Sequence, residues 1–390
     1  MKIKSDLLAV VSIGLISFIV FANALSGDFV YDDNRQIVRN PLIQDTSLYG
    51  KALVSDVWAF KSSGIGAASN YWRPTFVAWM IFNFLLFGLK PFGWHLLNIL
   101  LHACVCIVAY LLLRRWNVSR GVAFAVAVIF AVHPVHTESV AWISGAPDLL
   151  FTLALLGAIW FADQFVKTRN RSNLILASIL YALALGTKEI GIFCFLLFPL
   201  ILKKANQKDP RARRKHKTID PLTRALIYSM PFMVIALLYF FARWRILGAL
   251  SRPPEDAVSL MKGILSMPSM FLFYLRQTLF PVHLAANYPL RPIQTVDLLH
   301  FGLPFIVSIG ALFLAWLVAR RSFVQRIGLA LIVLPLLPVM NASAFIPEQI
   351  VHDRYLYLPL LGFLMLVAPS VERLTGEIAV PGRKMVGSVP

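Results

Sequence analysis

The sequence predicts an all-α, polytopic membrane protein. Three observations carry that prediction. The 390 residues are 58% hydrophobic and only 14% charged, with a mean hydropathy of +0.71, outside the range of ordinary soluble domains. Apolar runs of spanning length recur from end to end. The basic residues, 37 Lys and Arg against 19 Asp and Glu, fall in short clusters between those runs, where membrane orientation explains them better than nucleic acid does. The three cysteines, Cys104, Cys106 and Cys194, all lie inside apolar runs and give no metal-site spacing.

Taken in order, Leu7–Leu25 is a first span, preceded by Lys2 and Lys4, which places the N-terminus in the cytoplasm. Ala22-Asn23-Ala24 could be read as a signal-peptide cleavage site, but the run is long for one. An external loop follows, starting at Asp28. It holds FVYDDNRQIVRNP (Phe29–Pro41), a Gly/Ser-rich patch at Ser62–Ser69, and Tyr71-Trp72-Arg73-Pro74. Asp32 and Asp33 stand just outside a span, where aspartates are costly. A solvated acidic loop end would account for them equally well on this stretch alone. Arg35 and Arg39 follow at helical spacing, and Asn40-Pro41 should stop the local structure. Thr75–Leu89 is short for a span and reads as an interfacial helix, with a true span as the alternative. The whole loop then covers 28–91.

Phe92–Leu113 is the second span, with His95, Asn98 and His102 on one face. Interhelical hydrogen bonding explains that face at least as well as ligand binding does. Val122–Val132 begins a third span that emerges at HPVHTESVAWISGAPDLL, carrying His133, His136, Glu138 and Asp148. The loose spacing favours a hydrogen-bonded external cap over a metal site. Asp148 suits the start of a helix, which is also its structural explanation. The fourth span ends near Val166. The fifth, Leu174–Leu185, exits at Lys188-Glu189, read as an ion pair between glycines, and the sixth returns to Lys203. The charged run Lys203–Lys217 suits a cytoplasmic loop against anionic lipid. The seventh span, Ala225–Ala242, leads to Arg243, Arg245, Arg252, Glu255 and Asp256. Leu260–Leu284, with Arg276 and several prolines, reads as a second interfacial or re-entrant helix. Leu298–Ala319 and Ile327–Met340 cross again. Asn341–Tyr357 is external and carries HDRYLYLP (His352–Pro359), and a last span ends near Ala368. The expected organisation is about ten spans plus two interfacial helices in one unit, 1–370, then a short basic cytoplasmic tail, 371–390. No internal repeat is visible.

This path puts 23 of the 37 basic residues on the cytoplasmic side but only 6 of the 19 acids, as the positive-inside rule requires. The remaining polar groups gather on the external face: Asp32, Asp33, Arg73, His133, His136, Glu138, Asp148, Lys188, Glu189, Arg276, His352 and Arg354. Carboxylates for proton transfer, beside cations for an anion, suit chemistry on a phosphate-linked substrate.

FVYDDNRQIVRNP, WRPTF, FGLKPFGWHLLNILLHA, HPVHTESVAWISGAPDLL, the TKEIG turn and HDRYLYLP together resemble the transmembrane-and-TPR O-mannosyltransferases and their prokaryotic relatives, within the GT-C membrane glycosyltransferases. The resemblance runs from Phe29 to Pro359. It implies a bundle of that class that moves a sugar from a polyprenyl phosphate to an acceptor hydroxyl, on a protein or an envelope glycolipid, at the external membrane face. It assigns Asp32 and Asp33 to the acidic catalytic motif, with Asp32 as the base. Arg73, His102, His133, His136, Glu138, Asp148, Lys188, Glu189, His352 and Arg354 would bind donor or acceptor. The implied partners are membrane lipid, the lipid-linked sugar and the acceptor; no nucleic acid is expected, nor an obligatory metal. No TPR repeats follow the last span, which leaves the acceptor open. A transporter or flippase is the rival reading. It would favour ionisable groups at mid-membrane and repeated, broken helices.

Overall fold

The computed structural model of the chain describes residues 3–61, 69–203, 220–249 and 258–376. Most of the Gly/Ser-rich patch at Ser62–Ser69, most of the run Lys203–Lys217, Arg252, Glu255, Asp256 and the basic tail beyond 376 lie outside the described residues. Within them all the regular structure is helical, with no strand. We number the longer helices in order: α1 (Ile3–Phe21), α2 (Pro74–Phe87), α3 (Pro91–Arg115), α4 (Arg120–Val132), α5 (Ala146–Thr168), α6 (Arg171–Thr187), α7 (Leu197–Lys203), α8 (Pro221–Leu247), α9 (Leu260–Leu279), α10 (Leu303–Ala319), α11 (Phe323–Val339) and α12 (Tyr357–Leu374).

Their ends follow local chemistry. Pro91 opens α3 and Arg114 and Arg115 close it, each suited to its end of the helix dipole. Ser119 Oγ accepts the Val122 N–H at the start of α4, and Asp220 accepts two N–H groups at the start of α8. Gly248, at φ 73°, ends α8 in the left-handed region.

Among the described residues, six helical stretches are long and apolar enough to cross a membrane: Asp6–Ser26, Pro91–Arg115, Ile143–Thr168, Pro221–Leu247, Leu298–Ala319 and Asp353–Leu374. Arg120–Val132 joined to Pro134–Val140 across a 51° bend makes a seventh. This is fewer than the ten spans expected from the sequence. Hydropathy alone does not distinguish a full crossing from a shorter apolar helix, and Arg171–Thr187 and Phe323–Val339 are such shorter helices, as is Pro74–Phe87. Leu260–Leu284 is helical only to Leu279.

A close helix pair, α11 against α12, is the backbone of the C-terminal half. A Cβ on Gly328 would lie 2.6 Å from the Gly362 carbonyl oxygen and 2.7 Å from the Leu366 nitrogen. Only glycine allows this approach, the usual small-residue solution where lipid supplies no hydrophobic drive. At one end of the bundle, Tyr110 donates to Asp6 at 2.6 Å, Arg115 pairs with Asp163, and Glu372 accepts the Ser119 N–H. At the other end, the first loop folds onto α2, burying Ile37, Leu42, Ile43, Phe76, Met80 and Trp94 as a small second core. That core holds the loop against the helix mouths.

Candidate active site

The carboxylates of the first loop are presented by a tight, partly strained turn. Tyr31 sits at φ 50°, a region that a bulky residue enters only when its surroundings hold it there. Its ring packs edge-on against Trp142, 5.9 Å between centroids. The backbone carbonyl of Asp32 then accepts the N–H groups of Arg35 and Gln36, starting a short helical turn at Asn34–Val38. Asn40 does not simply stop this turn. Its Oδ1 accepts the Leu42 N–H at 3.0 Å, so Asn40-Pro41 caps a new short helix, Pro41–Gln44.

Neighbours in sequence, the two aspartates face opposite ways. Asp33 is fully buried. Its Oδ1 accepts the Ser144 N–H at 2.9 Å and the Ser144 hydroxyl at 2.5 Å, and its Oδ2 accepts the Val30 N–H at 3.1 Å. It locks the first loop to the second. Burial pushes its carboxyl up to about 6, against the downward pull of the Ser144 bonds. Asp32 instead lines a narrow cavity of about 90 Å³, together with Tyr71, Arg73, Trp142, Asp148, Lys188, Arg354 and Tyr355. Burial raises its pKa, and Lys61, Arg354 and Arg35 oppose that rise.

Three cations form the cavity wall, and each has its own carboxylate. Arg73 grips Glu189 with two bonds, 2.9 and 2.7 Å. Lys188 Nζ lies 2.5 Å from Asp148 Oδ1, both buried. Arg354 bonds Glu138 through its guanidinium at 2.5 Å and its backbone N–H at 2.8 Å. Lys188 and Glu189 therefore do not pair with each other, as their adjacency suggested: consecutive residues in extended or irregular backbone point apart, and each reaches a different helix mouth. Aromatic rings separate the pairs. Lys188 Nζ is 4.7 Å from the Tyr355 ring centroid, and Arg354 lies between Tyr355 and Trp142 at 5.4 and 5.6 Å.

Gly145 makes the second loop's turn possible. A Cβ there would meet the Glu138 carbonyl oxygen at 2.5 Å, so the chain folds tightly enough to bring Glu138, Ser144 and Asp148 to one place. Of the sequence-derived candidates, Asp32, Arg73, Asp148, Lys188 and Arg354 line the cavity. Asp33, Glu138 and Glu189 support it from behind. His352 Nδ1 approaches Glu138 at 3.7 Å, and burial pushes that imidazole down to about 3. The remaining histidines are elsewhere. His102 bonds the Tyr357 hydroxyl at 2.7 Å and the Ala131 carbonyl at 3.0 Å inside the helix core, the interhelical role the sequence left open. His136 is buried against Phe130 and Tyr357. His133 Nδ1 accepts the Val135 N–H. His133, His136 and Glu138 do not converge, and no group of three metal-ligating side chains occurs among the described residues.

Sequence reasoning gave Ser144, Tyr355, Trp142 and Tyr71 no role in the site, although each lies inside a quoted motif. Tyr355 lies inside HDRYLYLP, so the motif marked its neighbourhood. Ser144 lies inside HPVHTESVAWISGAPDLL in the same way, but nothing local points to its role, because its partner is 111 residues away.

Residues 72–235 match the family model of dolichyl-phosphate-mannose-protein mannosyltransferases. Among curated proteins, the protein O-mannosyl-transferase TMTC4 of Mus musculus is 27% identical over 91% of this chain and 54% of its own length. TMTC1 of Homo sapiens is 28% identical over 92% of this chain and 45% of its own. Tmtc1 of Drosophila melanogaster is 33% identical over 49% of this chain and 22% of its own. The chain spans about half the length of the first of these relatives, and less of the others. No solved structure matches it. The resemblance to GT-C O-mannosyltransferases thus extends over about nine-tenths of the chain.

Proposed function

We propose that this protein is a membrane glycosyltransferase that moves a sugar from a polyprenyl phosphate to an acceptor hydroxyl at the external membrane face, with Asp32 as general base. The names of its relatives favour mannose and a protein acceptor; an envelope glycolipid would present the same hydroxyl chemistry.

One observation carries the choice of Asp32. Around the cavity, Asp148, Glu138 and Glu189 are each committed to a cation, and Asp33 is committed to Ser144 and Val30. Among the described residues, Asp32 alone of these carboxylates has no hydrogen-bond or ion-pair partner for its side chain while facing the cavity. A carboxylate left free in a partly buried site is suited to take a proton. The acceptor oxygen attacks the anomeric carbon as its proton passes to Asp32, and polyprenyl phosphate leaves from the opposite face, inverting the centre. A phosphate departs readily, so no second carboxylic acid is required, unlike in glycoside hydrolysis. Arg73, Lys188 and Arg354 would meet the phosphate by sharing N–H groups with it, each remaining tied to its own carboxylate. This balance leaves the cavity near neutrality before the donor binds, and no obligatory metal is part of the reading.

The test is transfer from a purified polyprenyl-phosphate sugar. Asp32→Asn keeps the shape and removes the proton acceptor. Its kcat should fall roughly 10²–10⁴-fold, with donor binding retained. An Asp32→Asn enzyme that binds donor and turns over at the parent rate would remove Asp32 from this role.

A further inference from the structure

A second cavity, of about 510 Å³, lies well away from Asp32. Its walls are apolar: Leu196 and Leu200 on one side, Ala330, Val333 and Leu334 of α11 on the other. One end is different. Arg320, just after α10, and Arg326, in the first turn of α11, both line it, and Trp316 carries the Arg320 guanidinium 4.6 Å from its ring centroid. Both arginines are exposed. Neither has a carboxylate partner among the described residues, in contrast to the three cations of the active site. Lys203 follows Leu200 by three residues, on the same face of α7, and adds charge toward the same end.

The position of this end is fixed by α12. Gln325, adjacent to Arg326, donates to the Leu366 carbonyl and to Ser370 Oγ. Those residues lie nine to thirteen positions beyond Tyr357, so the arginines are roughly 15–20 Å of helix from the active-site end. This is also the end that the basic clusters assign to the cytoplasm. From Arg326 to Leu334 the apolar wall continues for about 12 Å, toward the middle of the bundle.

We propose that this groove binds an anionic phospholipid of the cytoplasmic leaflet. The headgroup phosphate sits between Arg320 and Arg326, and an acyl chain lies along Leu200, Ala330 and Val333. A groove lined by carbon alone would take any acyl chain. Two unpaired guanidiniums at the level of the interface select a phosphate that carries net negative charge. The zwitterionic phosphocholine headgroup offers its phosphate beside a cation and gains less.

Native mass spectrometry of the delipidated full-length protein tests this, with back-titration by phosphatidylglycerol and by phosphatidylcholine of matched chains. The wild type should bind phosphatidylglycerol preferentially. Arg320→Gln combined with Arg326→Gln should weaken that binding on the order of tenfold or more and leave phosphatidylcholine binding as it was. Arg320→Lys with Arg326→Lys keeps the charge and should keep the preference. No preference in the wild type, a preference retained in the glutamine pair, or one lost in the lysine pair would overturn the proposal. None of these readouts depends on the glycosyltransferase reading.

Discussion

Asp32 and Asp33 share a peptide bond and little else. Asp33 accepts from three donors, the buried Ser144 N–H and hydroxyl and the part-buried Val30 N–H, whereas Asp32 faces the cavity with no side-chain partner among the described residues. Two separable predictions follow from that difference. Burial raises the Asp32 pKa above the usual 3.8, and only the ionised form can act as base. The acid limb of kcat/KM should therefore sit higher than that of an ordinary exposed aspartate, with activity falling tenfold per unit below it, and that limb should vanish from the residual activity of Asp32→Asn. A limb unchanged in the asparagine variant would assign the titration to another group. Asp33→Ala acts on the fold instead. It strands buried donors, each costing about 1–3 kcal/mol, so the unfolding midpoint in detergent should drop by several degrees while Asp32→Asn melts like the parent. Equal melting of Asp33→Ala and the parent would refute the locking role. The sequence marked both aspartates, and the resemblance pointed to Asp32 as the base, but no local feature showed what holds Asp33. That hold depends on Ser144, a residue with no chemical signature of its own whose position is set by the close turn at Gly145.

Elements were legible where their chemistry is local, and illegible where it is shared between distant parts of the chain. The basic ends of α3, the capping Ser119 and Asp220, and the apolar runs are written in consecutive residues, and the helices form there. The pairing of Arg73 with Glu189 and of Lys188 with Asp148 is not, because each partner comes from a different loop. The α11–α12 contact is intermediate: its two glycines are visible, but which of the chain's 21 glycines sits at a helix crossing depends on packing. Gly328→Leu places a side chain against backbone atoms of α12 at 2.6–2.7 Å. Overpacking of this kind costs typically 1–3 kcal/mol, and here the neighbours are main chain and cannot swing aside. Loss of folded yield and a lower melting temperature are expected for Gly328→Leu. Gly310→Leu, whose Cβ meets nothing within 4 Å, should match the parent. A Gly328→Leu protein as stable as Gly310→Leu would show that the two helices do not pack so closely.

At the level of the whole molecule, charge and geometry make independent statements about orientation. The positive-inside rule sends the clusters at Arg114–Arg120, Lys167–Arg171 and Arg320–Arg326 to the cytoplasm. The folded chain gathers residues of these clusters at one end of the bundle, where Arg115 meets Asp163 and Ser119 meets Glu372. The cavity with Asp32, Lys188 and Arg354 occupies the other end. The sequence could not have anticipated that a topology probe at Asp33 or Ser144 would be buried and poorly reactive on either side. Exposed positions are needed: Asp28 and Glu348 at the end with the Asp32 cavity, Asn117 and Arg321 at the other. Single cysteines at these four places, in a background lacking Cys104, Cys106 and Cys194, can be challenged with a membrane-impermeant thiol reagent on intact cells. Positions 28 and 348 should label at once, and 117 and 321 only after the membrane is opened. Because the two ends are joined by helices of spanning length, the four answers are coupled: the reverse pattern inverts the whole bundle and moves the cavity to the cytoplasmic side, while labelling of 28 together with 117 breaks the span that α3 makes between them.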